Sequence, residues 1–116
     1  MLEKNELGVV KISKQVIAGI ASHSAKEING VQGIGGGWLS RARGIMGYIL
    51  GTDSFQGIKI EILTNGEVVV SVPIIAEYGK EVSNIACEVQ EKVRKDIEEL
   101  TGLEVVKVDV RVEEVR

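Results

Sequence analysis

The sequence predicts an α+β fold: a two-layer sandwich in β-α-β-β-α-β order, with the helices on one face of a mixed sheet. Three observations predict it. The chain of 116 residues carries 17 valines and 14 isoleucines but only four aromatics, Trp38, Tyr48, Phe55 and Tyr78, so its core is β-branched aliphatic packing. Two stretches alternate apolar and polar residues with the period of a half-buried strand, and two others carry apolar stripes with the period of a helix. The length suits one domain, taken as residues 1–116. A crossover that places helices on one face suits strands that bury only one face, and a ferredoxin-like strand order is one solution.

The elements follow in order. Gly8 to Ile12 reads as a short strand. Ser13 is a helix N-cap whose hydroxyl can accept from a free first-turn amide. Val16, Ile17, Ile20, Ala21, Ser24 and Ile28 then form one helical stripe, which ends at Asn29-Gly30. Ile58, Ile60 and Ile62 alternate with Lys59 and Glu61. Asn65-Gly66 follows as a two-residue hairpin turn, and the return strand runs from Val68 to Ile75. Pro73 cannot donate to a ladder, which places that end at a sheet edge or bulge. Residues 80–100 carry the clearest stripe: Val82, Ile85, Ala86, Val89, Val93, Ile97 and Leu100, with Gly102 placed to close the helix. In the last strand Val106, Val108, Val110 and Val112 alternate with Lys107, Asp109, Arg111 and Glu113.

Residues 30–57 differ from the rest. They hold nine of the 14 glycines and three of the four aromatics, but only Arg41, Arg43 and Asp53 of the 31 charged residues. So long a connection in a compact domain is usually functional or disordered. Trp38, Leu39, Ala42, Ile45, Met46 and Ile49 fall on one helical stripe, with Arg41, Arg43 and Tyr48 flanking its opposite side. One reading is an amphipathic helix that meets a partner or a membrane surface, with Trp38 as anchor and the two arginines reaching head groups. The other is a helix that packs over the open sheet face or against a second subunit. The candidate interaction residues are therefore Trp38, Leu39, Arg41, Arg43, Ile45, Met46, Tyr48 and Ile49.

The chemistry of the remaining chain is sparse. One cysteine forms no internal disulfide and builds no cysteine-rich zinc site, and no metal or cofactor is expected. Cys87 sits beside the apolar stripe and reads as a buried, inert thiol. His23 has Glu27 four residues on, which suits a surface helical pair better than a general base. Gly33-Ile34-Gly35-Gly36-Gly37 fails the dinucleotide pattern, because Trp38 stands where the third glycine belongs. The same stretch matches the G-x-x-G loop of KH domains, which makes a KH-like nucleic-acid-binding domain the alternative reading. A net charge of −3 gives no basic field for nucleic acid, so that partner is disfavoured. No small-molecule substrate and no enzyme activity are expected. The polar amino terminus has no signal-like apolar run, and the expected location is cytoplasmic.

Two stretches carry a family resemblance. Gly8, Val9, Val10, Lys11, Ile12 and Ser13, continuing through Ala21 and on to Glu27, Ile28, Asn29, Gly30 and Val31, form the first. Tyr78-Gly79, Val82, Ile85, Ala86, Val89-Gln90, Val93, Ile97, Thr101-Gly102-Leu103 and the closing valine strand form the second. Together they resemble the alkaline shock protein family, the envelope stress response family found mainly in Gram-positive bacteria. The resemblance implies a small cytoplasmic, non-enzymatic protein of envelope and alkaline stress homeostasis, which reaches the membrane through a protein partner. It transfers no catalytic residue. The glycine-rich apolar insert at residues 33–56 departs from the family pattern and leaves two roles open, peripheral membrane contact and assembly of a homo-oligomer.

Overall fold

The computed structural model describes residues 2–35, 54–55 and 57–116. Nine elements follow one another: β1 (Leu2–Asn5), β2 (Gly8–Lys11), α1 (Lys14–Lys26), β3 (Val31–Ile34), β4 (Ser54–Phe55), β5 (Ile58–Ile62), β6 (Val68–Ala76), α2 (Val82–Thr101) and β7 (Val105–Val115). The class is the expected α+β, with both helices packed on one face of a mixed sheet.

Strand β6 is the axis of that sheet. Parallel β7 runs along one edge of it, from Val68↔Val105 to Ala76↔Val115. Two antiparallel strands share the other edge: β5 pairs with the first half (Lys59↔Ser71 to Ile62↔Val68), and β3 with the second (Val31↔Ala76 to Ile34↔Ile74). Short β4 lies outside β5. Pro73 thus sits in the central strand rather than at an edge. Its carbonyl accepts from the Gly35 amide at 2.8 Å. The nitrogen and carbonyl of one strand residue point to the same side, so the missing N–H falls where the ladder passes from β5 to β3.

The strand before α1 departs from expectation. Gly8–Lys11 pairs with Leu2–Asn5 in a separate two-stranded sheet, and all four of its residues are exposed. A strand that buries neither face gains nothing from the core, and β7 takes the place beside β6. The hairpin between β5 and β6 also differs in detail. Leu63 N–H donates to the Glu67 carbonyl and Gly66 N–H to the Leu63 carbonyl, which leaves a three-residue loop, Thr64 to Gly66. Gly66 takes the positive φ (87°) that such a loop requires.

Helix α1 begins as its sequence dictates, with the Ser13 hydroxyl accepting from Val16 N–H at 3.3 Å. It buries Ile17, Ala18, Ala21 and Ala25. The small alanines let α1 lie close against α2, which buries Ile85, Val89, Val93 and Ile97 at intervals of four. Gly102 closes α2 in the left-handed conformation (φ 75°). Below the helices lie Ile58 and Ile60 of β5, Val68, Val70, Val72 and Ile74 of β6, and Val105 and Val108 of β7.

Two apolar positions fall outside this core. Leu100 is 71% exposed, because the chain turns at Gly102 and Leu103 fills the end of the core instead. Val106 is 45% exposed, because the β6–β7 register shifts between Val68 and Val69 and brings Val105 inward in its place. Cys87 is exposed, not buried. It lies two residues from both Ile85 and Val89, and about 200° around a helix from each.

Candidate interaction surface

The helices cover one face of the sheet; on the other, charged side chains flank Ser71, while Pro73 and Ile75 further along β6 are buried. On that open face Lys59 of β5 is level with Ser71 of β6, and Ser71 is level with Asp109 of β7. Along β7 the charges alternate in sign, and neighbours on the same face pair with each other. Lys107 Nζ is 3.7 Å from Asp109 Oδ2, and Arg111 Nη2 is 3.4 Å from Glu113 Oε1. An open groove of about 490 Å³ runs beside this stretch, lined by Lys59, Ser71, Gln90, Asp109, Val110 and Arg111.

The outer edge of β7 is the second feature. Among the described residues β7 pairs with β6 alone. An 11-residue strand with one laddered side presents a row of backbone donors and acceptors. Gln90 covers one of them: its Nε2 donates to the Val108 carbonyl at 3.0 Å. A side chain thus satisfies an acceptor where an inner strand would use a neighbouring strand.

Between the helices lies a polar link that sequence spacing does not reveal. Ser24, buried at 1% exposure, donates its hydroxyl to Asp96 Oδ2 at 2.6 Å. Lys92 Nζ approaches the same oxygen at 3.0 Å. The Ser24 hydroxyl first, and Lys92 after it, hold the Asp96 carboxyl below its ordinary value against the opposing effect of burial. The hydrogen bond to Asp96 in turn raises the Lys92 ammonium. A serine on an otherwise apolar helix stripe was the available signal, since a buried hydroxyl needs a partner.

This link has a testable pH signature. Ser24→Ala is expected to cost about 1.5–3 kcal/mol at neutral pH, the usual worth of a hydrogen bond to a charged group. Asp96 has a lowered folded pKa, so its contribution is full above the unfolded carboxylate value and is lost as pH falls through the folded one. Urea titrations of both proteins should therefore converge below about pH 4. A gap that persists unchanged into acid would rule out the carboxylate as its source.

The catalytic candidates stay apart. His23 Nε2 lies 3.2 Å from Glu27 Oε1 on the exposed side of α1, the surface pair expected of that spacing. Among the described residues no three His, Cys, Asp or Glu side chains cluster as metal ligands, and no helix is long and apolar enough to cross a membrane. Gly33 and Ile34 of the G-x-x-G match belong to strand β3, paired with Ile75 and Ile74, so they form no clamping loop and the KH-like alternative is not favoured. All eight candidate interaction residues, from Trp38 to Ile49, lie outside the described residues.

Comparison with known proteins agrees with this architecture. The chain is similar to YqhY of Bacillus subtilis (strain 168), 26% identical over 110 residues, covering 95% of this chain and 78% of that protein. It is 28% identical over 114 residues to YloU of the same organism, covering 97% and 92%. It is 26% identical over 110 residues to a stress response regulator gls24 homolog of Streptococcus pyogenes, covering 94% of this chain but only 59% of that protein. Among solved structures, MamM-CTD shares the fold, with a TM-score of 0.53 at 12% identity over 88% of this chain and 99% of that one. Residues 2–116 match the alkaline shock protein 23 family, described by a cell envelope-related function, and the chain belongs to that family.

Proposed function

We propose that the chain is a non-enzymatic association module of cell-envelope and alkaline-stress homeostasis, which binds a second copy of itself and a protein partner at the inner face of the membrane. The observation that carries this reading is the one-sided sheet. Its helices bury most of one face, while the charged stretch of the other face around Ser71 and, among the described residues, the β7 edge present charge and backbone to the outside. The family's cell envelope-related function and the stress-regulator name of the streptococcal relative support the setting.

In this reading the stripe from Trp38 to Ile49 is the contact for the membrane-side partner. Its apolar face supplies burial, and Arg41 and Arg43 supply weak attraction to anionic head groups, about 1 kcal/mol each. Such contact needs no catalytic group.

Deletion of residues 38–50 tests the reading and spares β3, whose pairing runs to Ile34. In cells the tagged full-length chain should concentrate at the membrane, and the deletion variant should spread evenly while keeping a cooperative thermal transition. A deletion variant that stays at the membrane would remove the stripe from the mechanism.

A further inference from the structure

We infer that two copies of this chain join edge to edge through β7, antiparallel, about a two-fold axis at Val110, to form one continuous sheet. The inference rests on the reading of the chain as a self-associating module and names the surface that does it.

The charge sequence of β7 selects the register. Antiparallel pairing about a residue sets each position opposite its mirror position in the second copy. With the axis at Val110, Lys107 meets Glu113 of the second copy and Asp109 meets its Arg111, each twice. Each of these four charges then has the opposite sign beside it on its own strand and directly across, while Glu114 faces Val106. Neighbouring registers lose this. An axis at Asp109 sets Asp109 against itself and Lys107 against Arg111. An axis at Arg111 sets Arg111 against itself and Asp109 against Glu113. An axis at Val108 or Val112 keeps one type of opposite-charge pair, sets one other charge against a valine and leaves the last without a β7 residue across from it. Opposite charges directly across strands are favourable and like charges unfavourable.

The helix-side face of the same strand fits the same axis. Val110 would meet its own copy there and Val108 would meet Val112. Val110 and Val112 are only half-buried in the single chain, although both pack against the core. Joining the edges would cover them. It would also give the outward backbone groups the strand partners they lack among the described residues, with the exposed Gln90 side chain moving off the Val108 carbonyl.

Sedimentation equilibrium of the full chain tests this, with Asp109→Arg, Arg111→Asp and the double exchange Asp109→Arg/Arg111→Asp. Both substitutions alter exposed side chains, and thermal melts verify the fold of all three variants. The full chain should be a reversible dimer that weakens with salt. Each single reversal should raise the dissociation constant about tenfold or more, because two like-charge contacts replace two opposite ones. The double exchange restores every cross-strand pair and should return the constant to within about threefold. A dimer indifferent to the single reversals, or one that the double exchange does not rescue, would overturn the edge and its register while leaving self-association in place. A chain that stays monomeric at every concentration would overturn both.

Discussion

Replacing Gly30 with alanine is expected to destabilise the fold by about 2–4 kcal/mol. Two causes add. Gly30 holds φ at 104°, where a side chain is strained. An added Cβ would also lie 2.6 Å from Ile85 Cδ1 and 2.9 Å from its Cγ1. Ile85 is a buried residue of α2 and has little room to yield. The chain cannot shift away easily either. The Gly30 carbonyl accepts from Glu77 N–H at 2.7 Å, and Lys80 Nζ donates to Asn29 Oδ1 at 2.8 Å, so this turn is tied to the β6–α2 loop. Ile85→Val in the Gly30→Ala background removes the nearest atom and should recover part of the loss, leaving the Cγ1 contact and the backbone strain. Urea unfolding of both variants and of Ile85→Val alone closes the cycle that isolates the steric term. Equal stability of Gly30→Ala and the unaltered chain would show that the turn adapts freely.

Ile74→Ala should cost about 2–5 kcal/mol, a large share of the stability of a domain this size. Ile74 is fully buried in the central strand, level with Ile34 on one side and Val112 on the other. Neighbours on both sides are held in ladders, so the cavity cannot collapse cheaply. Leu100→Ala is the contrasting case. Its side chain is 71% exposed, and its loss should stay within about 0.5 kcal/mol. Equal effects at the two positions would contradict the assignment of the core.

Much of this fold is legible in the residues themselves. The Ile58-Ile60-Ile62 alternation, the stripes of α1 and α2, the Ser13 cap and the Gly102 closure all arise from local periodicity and local chemistry. The departures arise where a partner strand decides. Leu2–Asn5 and Val31–Ile34 are four residues each, too short for a period to show, and each becomes a strand only through its pairing. Gly8–Lys11 reads as a sheet strand by composition, yet nothing in its own residues says which sheet it joins. Val106 looks inward by alternation until the register shift at Val105 reverses it. The interaction surface was legible only in part. The alternating signs of Lys107, Asp109, Arg111 and Glu113 are plain in the sequence, where they read as a solvated face. Their meaning as a self-complementary ladder follows once β7 is placed at the outside of the sheet. Ser24 and Asp96 are 72 positions apart, and only the packing of α1 on α2 brings them together.

The most direct test of the account is backbone hydrogen exchange across β7 as protein concentration is raised through the dimerisation range. The outward amides between Lys107 and Glu113, those of Val108, Val110 and Val112, should slow as the copies join, while those of β5 and α2 stay constant. Exchange in this stretch that ignores concentration in a chain that nevertheless dimerises would place the contact elsewhere and contradict the edge-paired sheet.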